Sequence, residues 1–109
     1  MTTLTVVPPS GKFAASGGTA KFAISNVTDG RLAFKVKTTN VVHYRVQPVY
    51  GFIEKRGTTD LTILRLSGPP KEDKFFIQWA DAQPEDTEPS EPFKAGAQVG
   101  EVVLISKAA

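Results

Sequence analysis

No stretch of ten or more residues in this chain carries a helical apolar stripe. Short runs of apolar–polar alternation recur instead, and a period of two is the pattern of a half-buried strand. Val, Ile and Thr supply 27 of the 109 residues, and Gly and Pro another 17, so β-formers are punctuated by turn formers throughout. Strands are predicted at 4–7, 19–26, 31–38, 44–46, 60–66, 74–79 and 100–106, with a shorter piece at 51–53. About seven short strands at this spacing predict one domain, spanning 1–109, with the architecture of an all-β antiparallel sandwich.

The first alternating pair gives a specific expectation. Residues 19–26 place Ala20, Phe22 and Ile24 on one face, and residues 31–38 place Leu32, Phe34 and Val36 on one face. Val27-Thr28-Asp29-Gly30 lies between them, so a hairpin is predicted, with positive φ at Gly30. Aligning the apolar faces sets Ile24 opposite Leu32 and Phe22 opposite Phe34. It also sets Lys21 opposite Lys35, with Lys37 two residues on, and such like-charge pairing suits a face that meets negative charge. In residues 74–79, Phe75, Ile77 and Trp79 form the core side. Lys74, Phe76 and Gln78 point the other way and mix a cation, a ring and an amide. Gly68-Pro69-Pro70 breaks the chain, and one helical turn is predicted over 70–73.

The net charge is only +2, but it is unevenly placed. Asp81, Glu85, Asp86, Glu88 and Glu91 fall within one stretch that has no basic residue, while the other 98 residues hold thirteen basic groups against six acids. The body is basic and its natural partners are acidic. Pro84, Pro89 and Pro92 keep the acidic stretch out of a central strand. It is expected to be a mobile surface loop that folds over the basic face and competes with partners there.

Enzymatic function finds little support. There is no cysteine and one histidine, His43, so thiolate metal sites, disulfides and cysteine catalysis are excluded. No G-x-S-x-G nucleophile motif or phosphate-cradling glycine loop occurs. No cofactor or metal is expected. The run 31–56 interleaves Tyr44, Tyr50 and Phe52 with basic residues, yet no fingerprint of a nucleic-acid-binding sheet or barrel is present. No apolar run reaches the ~20 residues of a membrane span and no leader is evident, so a cytoplasmic protein without membrane insertion is expected. Asn26-Val27-Thr28 matches a glycosylation sequon and is read as part of the turn.

Several separate elements carry a family resemblance. Phe34-Lys35-Val36-Lys37-Thr38-Thr39, then Tyr44-Arg45-Val46-Gln47-Pro48, then Gly51-Phe52-Ile53, resemble the signature run of the major sperm protein (MSP) domain. Asn26-Val27-Thr28-Asp29 and Lys74-Phe75-Phe76-Ile77-Gln78 are similar to that family's turn and later strand. The similarity runs from about residue 4 to 105. It implies an immunoglobulin-like seven-stranded β-sandwich without catalytic activity. The bare domain looks like the small nematode sperm-specific members, some of whose relatives dimerise and polymerise into the cytoskeleton of crawling sperm. A second branch, the VAMP-associated proteins, binds acidic peptides with two phenylalanines. Carried over from that branch, the candidate partner-binding residues are Lys37, Thr38, Thr39, Lys74 and Phe76, where the family commonly has Met. Lys21 and Lys35 join them from the strand alternation. Expected partners are proteins: other MSP-domain proteins, acidic peptides or a second copy in a homodimer.

Overall fold

The computed structural model describes residues 4–8, 10–94 and 98–108, and the side chains of 98 and 99 are left aside. The elements in chain order are β1 (Leu4–Val7), β2 (Ser10–Phe13), β3 (Gly18–Asn26), β4 (Leu32–Thr38), β5 (Tyr44–Gln47), β6 (Tyr50–Ile53), β7 (Thr58–Arg65), β8 (Lys71–Asp81), α1 (Glu91–Lys94) and β9 (Gln98–Ala108). They form two sheets, β1-β3-β7-β5 (sheet I) and β2-β9-β8-β4-β6 (sheet II). Nine segments make seven strands of a sandwich, because two strands cross from one sheet to the other partway along. β1 passes to β2 across the cis Val7-Pro8 bond, and β5 passes to β6 across the cis Gln47-Pro48 bond. Proline lacks the N–H that a continuous ladder would use, which suits it to these crossings. The β2–β9 pair is parallel, and the other pairs are antiparallel.

The core is the space between the sheets. Phe22, Ile24, Leu61 and Ile63 fill it from sheet I, and Leu32, Phe34, Val36, Phe75, Ile77, Trp79 and Leu104 from sheet II. These are the inward positions that the alternation predicted on β3, β4 and β8. Fully burying side chains of this kind contributes about 1.5–3 kcal/mol each, which makes this layer the main source of stability. The Tyr44 ring sits edge-on between Phe13 (5.4 Å) and Phe75 (5.0 Å), and its hydroxyl lies 2.8 Å from Ser106 Oγ.

The predicted hairpin is not formed. β3 pairs with β1 and β7 in sheet I, whereas β4 pairs with β6 and β8 in sheet II. The two strands face each other across the core instead of lying side by side. Alternation gives the buried face of each strand but says nothing about which strand lies beside it. The link between them is held by Asn26, which is buried. Its Nδ2 donates to the carbonyls of Gly30 (2.7 Å), Ile53 (3.1 Å) and Glu54 (3.2 Å), and its Oδ1 accepts from Thr28 N (2.9 Å). That burial leaves the sequon amide no access to a modifying enzyme. Gly30 is not at positive φ; among the described residues Gly17 and Arg56 are. The helical turn predicted over 70–73 is also absent, since β8 begins at Lys71.

Candidate interaction face

The outward side of sheet II is built in ladder rows. One row runs Lys37–Phe76–Val103 across β4, β8 and β9, the next has Lys74 beside Ile105, and below it Glu72 lies beside Lys107 and Lys107 beside Lys12. Strand pleating sends Val36, Phe75 and Leu104 inward and therefore turns Lys37, Phe76 and Val103 outward. Val103 is 46% exposed and Ile105 38%, so apolar surface lies open between lysines. Among the described residues Lys37, Lys74 and Lys12 make no ion pair, while Lys107 lies 3.8 Å from Glu72. Their charges are available to an incoming anion.

Around the edge of β4 the surface continues into a groove of about 560 Å³. Val36, Thr38, Val41, Val46 and Val49 line it, with Lys37 and Arg45 at its sides. It opens because β6 pairs only with Leu32 to Lys35 of β4 and, past the bond from Val36 N to the Val49 carbonyl (2.9 Å), no ladder pairing on this side continues to Lys37 and Thr38. The groove's rim is fixed by a buried carboxylate. Asp73 accepts from Asn40 Nδ2 (3.1 Å) and Thr39 Oγ1 (3.3 Å), with Lys71 Nζ at 3.7 Å, and Asn40 Oδ1 accepts from His43 N (3.0 Å).

The other end of the same face is covered. Residues 83–86 are tied down by Arg31, whose Nη1 donates to the carbonyls of Gln83 (2.8 Å) and Asp86 (2.9 Å). The Arg31 Nε pairs with Glu54 Oε2 at 3.0 Å, and the guanidinium lies 3.7 Å above the Phe52 ring. Beyond it, α1 lays Phe93 against Tyr50 (6.1 Å), with Lys35 Nζ 4.9 Å from the Phe93 ring. The acidic stretch is therefore a strap fastened at the Arg31 end, and the α1 turn that follows it reaches Lys35.

The predicted site residues separate accordingly. Lys37, Lys74 and Phe76 share the open face, and Lys35 lies at its boundary beneath Phe93. Thr39 uses its hydroxyl at the rim: it donates to Asp73 and accepts from Lys74 N at 3.0 Å. Thr38 Oγ1 accepts from Asn40 N at 3.2 Å. Lys21 does not join them. It pairs with Thr62 on the outer side of sheet I, so the expected Lys21–Lys35 opposition does not exist. Lys35 instead lies beside Gln78 and Tyr50. Val103, Ile105, Lys107 and Lys12 were not anticipated. The run Val102-Val103-Leu104-Ile105 is apolar on both faces, which was the available signal for the first two.

Fold and face together define an immunoglobulin-like sandwich that offers a surface, and no group of three or more metal-ligating side chains gathers among the described residues. Comparison with known proteins agrees with that class. Residues 3–102 match the MSP (Major sperm protein) domain. The chain is 52% identical to sperm-specific class P protein 34 of Caenorhabditis elegans over 93% of its length and 94% of that protein's. It is 50% identical to sperm-specific class P protein 32 over 95% and 97%. The solved structure of WR4, an MSP family member of the same nematode, superposes with a TM-score of 0.97 at 50% identity, each chain fully covered. The chain belongs to the MSP-domain family, and these two relatives are sperm-specific proteins of a nematode. No helix among the described residues is long and apolar enough to cross a membrane.

Proposed function

We propose that this protein is a non-enzymatic interaction domain of the nematode sperm cytoplasm. In this reading it acts as an assembly or accessory component of the sperm cytoskeleton. It works by taking an acidic, aromatic segment of a partner protein on the open half of sheet II. The carrying observation is the Lys37–Phe76–Val103 row with Lys74 and Ile105 beside it, where exposed Val103 and Ile105 lie near Lys37 and Lys74, which make no ion pair among the described residues. Lysines at the margin speed encounter with an acidic chain, and apolar contacts between them hold it. The valine-lined groove next to Lys37 gives an aromatic side chain a place to lodge. The sperm-specific relatives supply the cellular setting.

The test is an NMR shift titration of the labelled domain with an acidic two-phenylalanine peptide at low and high salt. Shifts are expected at residues 37–39, 74–78 and 103–105, weakening as salt rises. No shifts at millimolar peptide would overturn the reading.

A further inference from the structure

Three loops meet at the end of the sandwich where β2, β4 and β7 finish and β3, β5 and β8 begin. They are residues 14–17, 39–43 and 66–70, and none of these is Asp, Glu, Lys or Arg. Backbone bonds lace them together: Leu66 N donates to the His43 carbonyl (2.7 Å), and Gly68 N to that of Ala15 (2.9 Å). The His43 ring packs on Gly68, where a Cβ would collide with it. Buried Arg65 holds the third loop by donating from Nη2 to the Pro69 carbonyl (2.7 Å), and Arg45 Nη1 holds the second through the Val41 carbonyl (2.8 Å). The loops are thus set in place, yet Val41 is 70% exposed and Val42 66%, the largest values among the large apolar side chains described. Pro69 and Pro70 are exposed on the neighbouring loop.

Cations sit just behind this apolar tip. Lys12 and Lys37 lie two residues before the first and second loops, Arg45 two residues after the second, and Lys71 directly after the third. At ~3.3 Å per residue these positions are within roughly 7 Å of the loops. The acids beside them are Glu72 and Asp73, and Asp73 is buried. Lys12 pairs in register with Lys107, which shares Glu72, and like charges on adjacent strands repel. Between the two lysines lies a hollow of about 240 Å³, lined also by Ser10 and Ile105, so a phosphate there would meet two cations and a hydroxyl. We infer that this end of the sandwich docks on an anionic bilayer, with Val41, Val42 and Pro70 in the interfacial layer and Lys12 and Lys107 on a lipid phosphate. The order of the groups matches the bilayer edge: an uncharged apolar tip, then a belt of cations at headgroup depth. An acidic peptide on the cations would leave the foremost valines in water, whereas a bilayer takes both. The contact is peripheral and needs no spanning segment. Val42, Pro70, Lys12 and Lys107 lie outside the proposed peptide site, so the two readings stand or fall separately.

Co-sedimentation of the full chain with phosphatidylcholine vesicles, with and without about 30% phosphatidylserine, tests this. Binding to the anionic vesicles at low salt is expected, with release in 0.5 M salt and no binding to the neutral ones. Val42→Asp is expected to weaken it at least about tenfold, and Lys12→Gln with Lys107→Gln about tenfold. Val42→Trp is expected to tighten it, with a blue-shifted tryptophan emission on the vesicles. Circular dichroism melting shows that each variant keeps the fold. A chain that stays in the supernatant at millimolar anionic lipid and low salt would overturn the inference, whether or not the two-phenylalanine peptide shifts residues 74–78. So would equal binding to neutral vesicles, a Val42→Asp variant that binds like the wild type, or full displacement by millimolar inorganic phosphate, which would leave a small-anion pocket without a membrane. If Val42→Asp loses vesicles and peptide alike, the loop belongs to the protein-binding face and the bilayer assignment falls.

Discussion

The two ends of the sheet II face are made by the same strands yet finish differently. At the Arg31 end, Phe52 and Tyr50 are roofed by a guanidinium and by Phe93, and backbone carbonyls of the strap are gathered onto one side chain. At the Lys74 end, Phe76, Val103 and Ile105 lie without a roof, and among the described residues Lys37 and Lys74 make no ion pair. A protein that covers its own aromatic residues at one end has the means to cover them at the other. The difference teaches that the covered end spends its polar groups on stability, while the open end keeps them free for a partner.

If so, substitutions at the two ends should diverge. The largest loss is expected where the covered end is rooted. Asn26→Ala strands the buried Ile53 carbonyl and releases those of Gly30 and Glu54, and is predicted to cost about 3 kcal/mol, measured by urea denaturation. Arg31→Ala removes the strap's anchor together with the Glu54 ion pair and is predicted to cost about 2 kcal/mol. Limited proteolysis should then cut the strap between residues 83 and 90 faster than in the wild type. At the open end, Lys37→Ala with Lys74→Ala should change stability by less than about 0.5 kcal/mol per site. The same pair should weaken acidic-peptide binding about tenfold, a loss of about 1.4 kcal/mol. Equal stability losses at both ends would erase the contrast.

The smallest effect concerns Asp29, beside the covered end. The hydrogen bond from Arg56 Nε at 2.9 Å, and then the Arg56 charge, hold its carboxyl below the ordinary 3.8. A pKa lower in the folded than in the unfolded chain favours folding above the unfolded value. That contribution fades as pH falls through the folded one. Arg56→Ala should raise the Asp29 titration toward 3.8 in a carboxyl-detected NMR titration, with little change in melting temperature, because the pair lies largely exposed.

Much of this could be read along the chain. The inward faces of β3, β4 and β8 followed from alternation, and the family resemblance named Lys37, Lys74 and Phe76 together. β2 was missed because Ser10-Gly11-Lys12-Phe13 is too short and too polar to show alternation. It is a strand because β9 offers it a parallel edge. The strap was taken for a mobile loop because nothing local marks Arg31, more than fifty residues earlier, as its anchor. Lys21 was grouped with Lys35 because side-by-side pairing is the usual outcome for neighbouring strands.

Sequence by itself determined the β class, the identity of most core residues, the separation of acidic strap from basic body, and the family. These depend on local period and residue type, which a single strand already carries. Tertiary structure alone decided that β3 and β4 lie in opposite sheets, that Lys21 faces away from Lys37, and that Val103 and Ile105 complete the open patch. Each of these depends on which strand lies beside which, and that is fixed by packing two sheets around one core, where residues distant in sequence become neighbours.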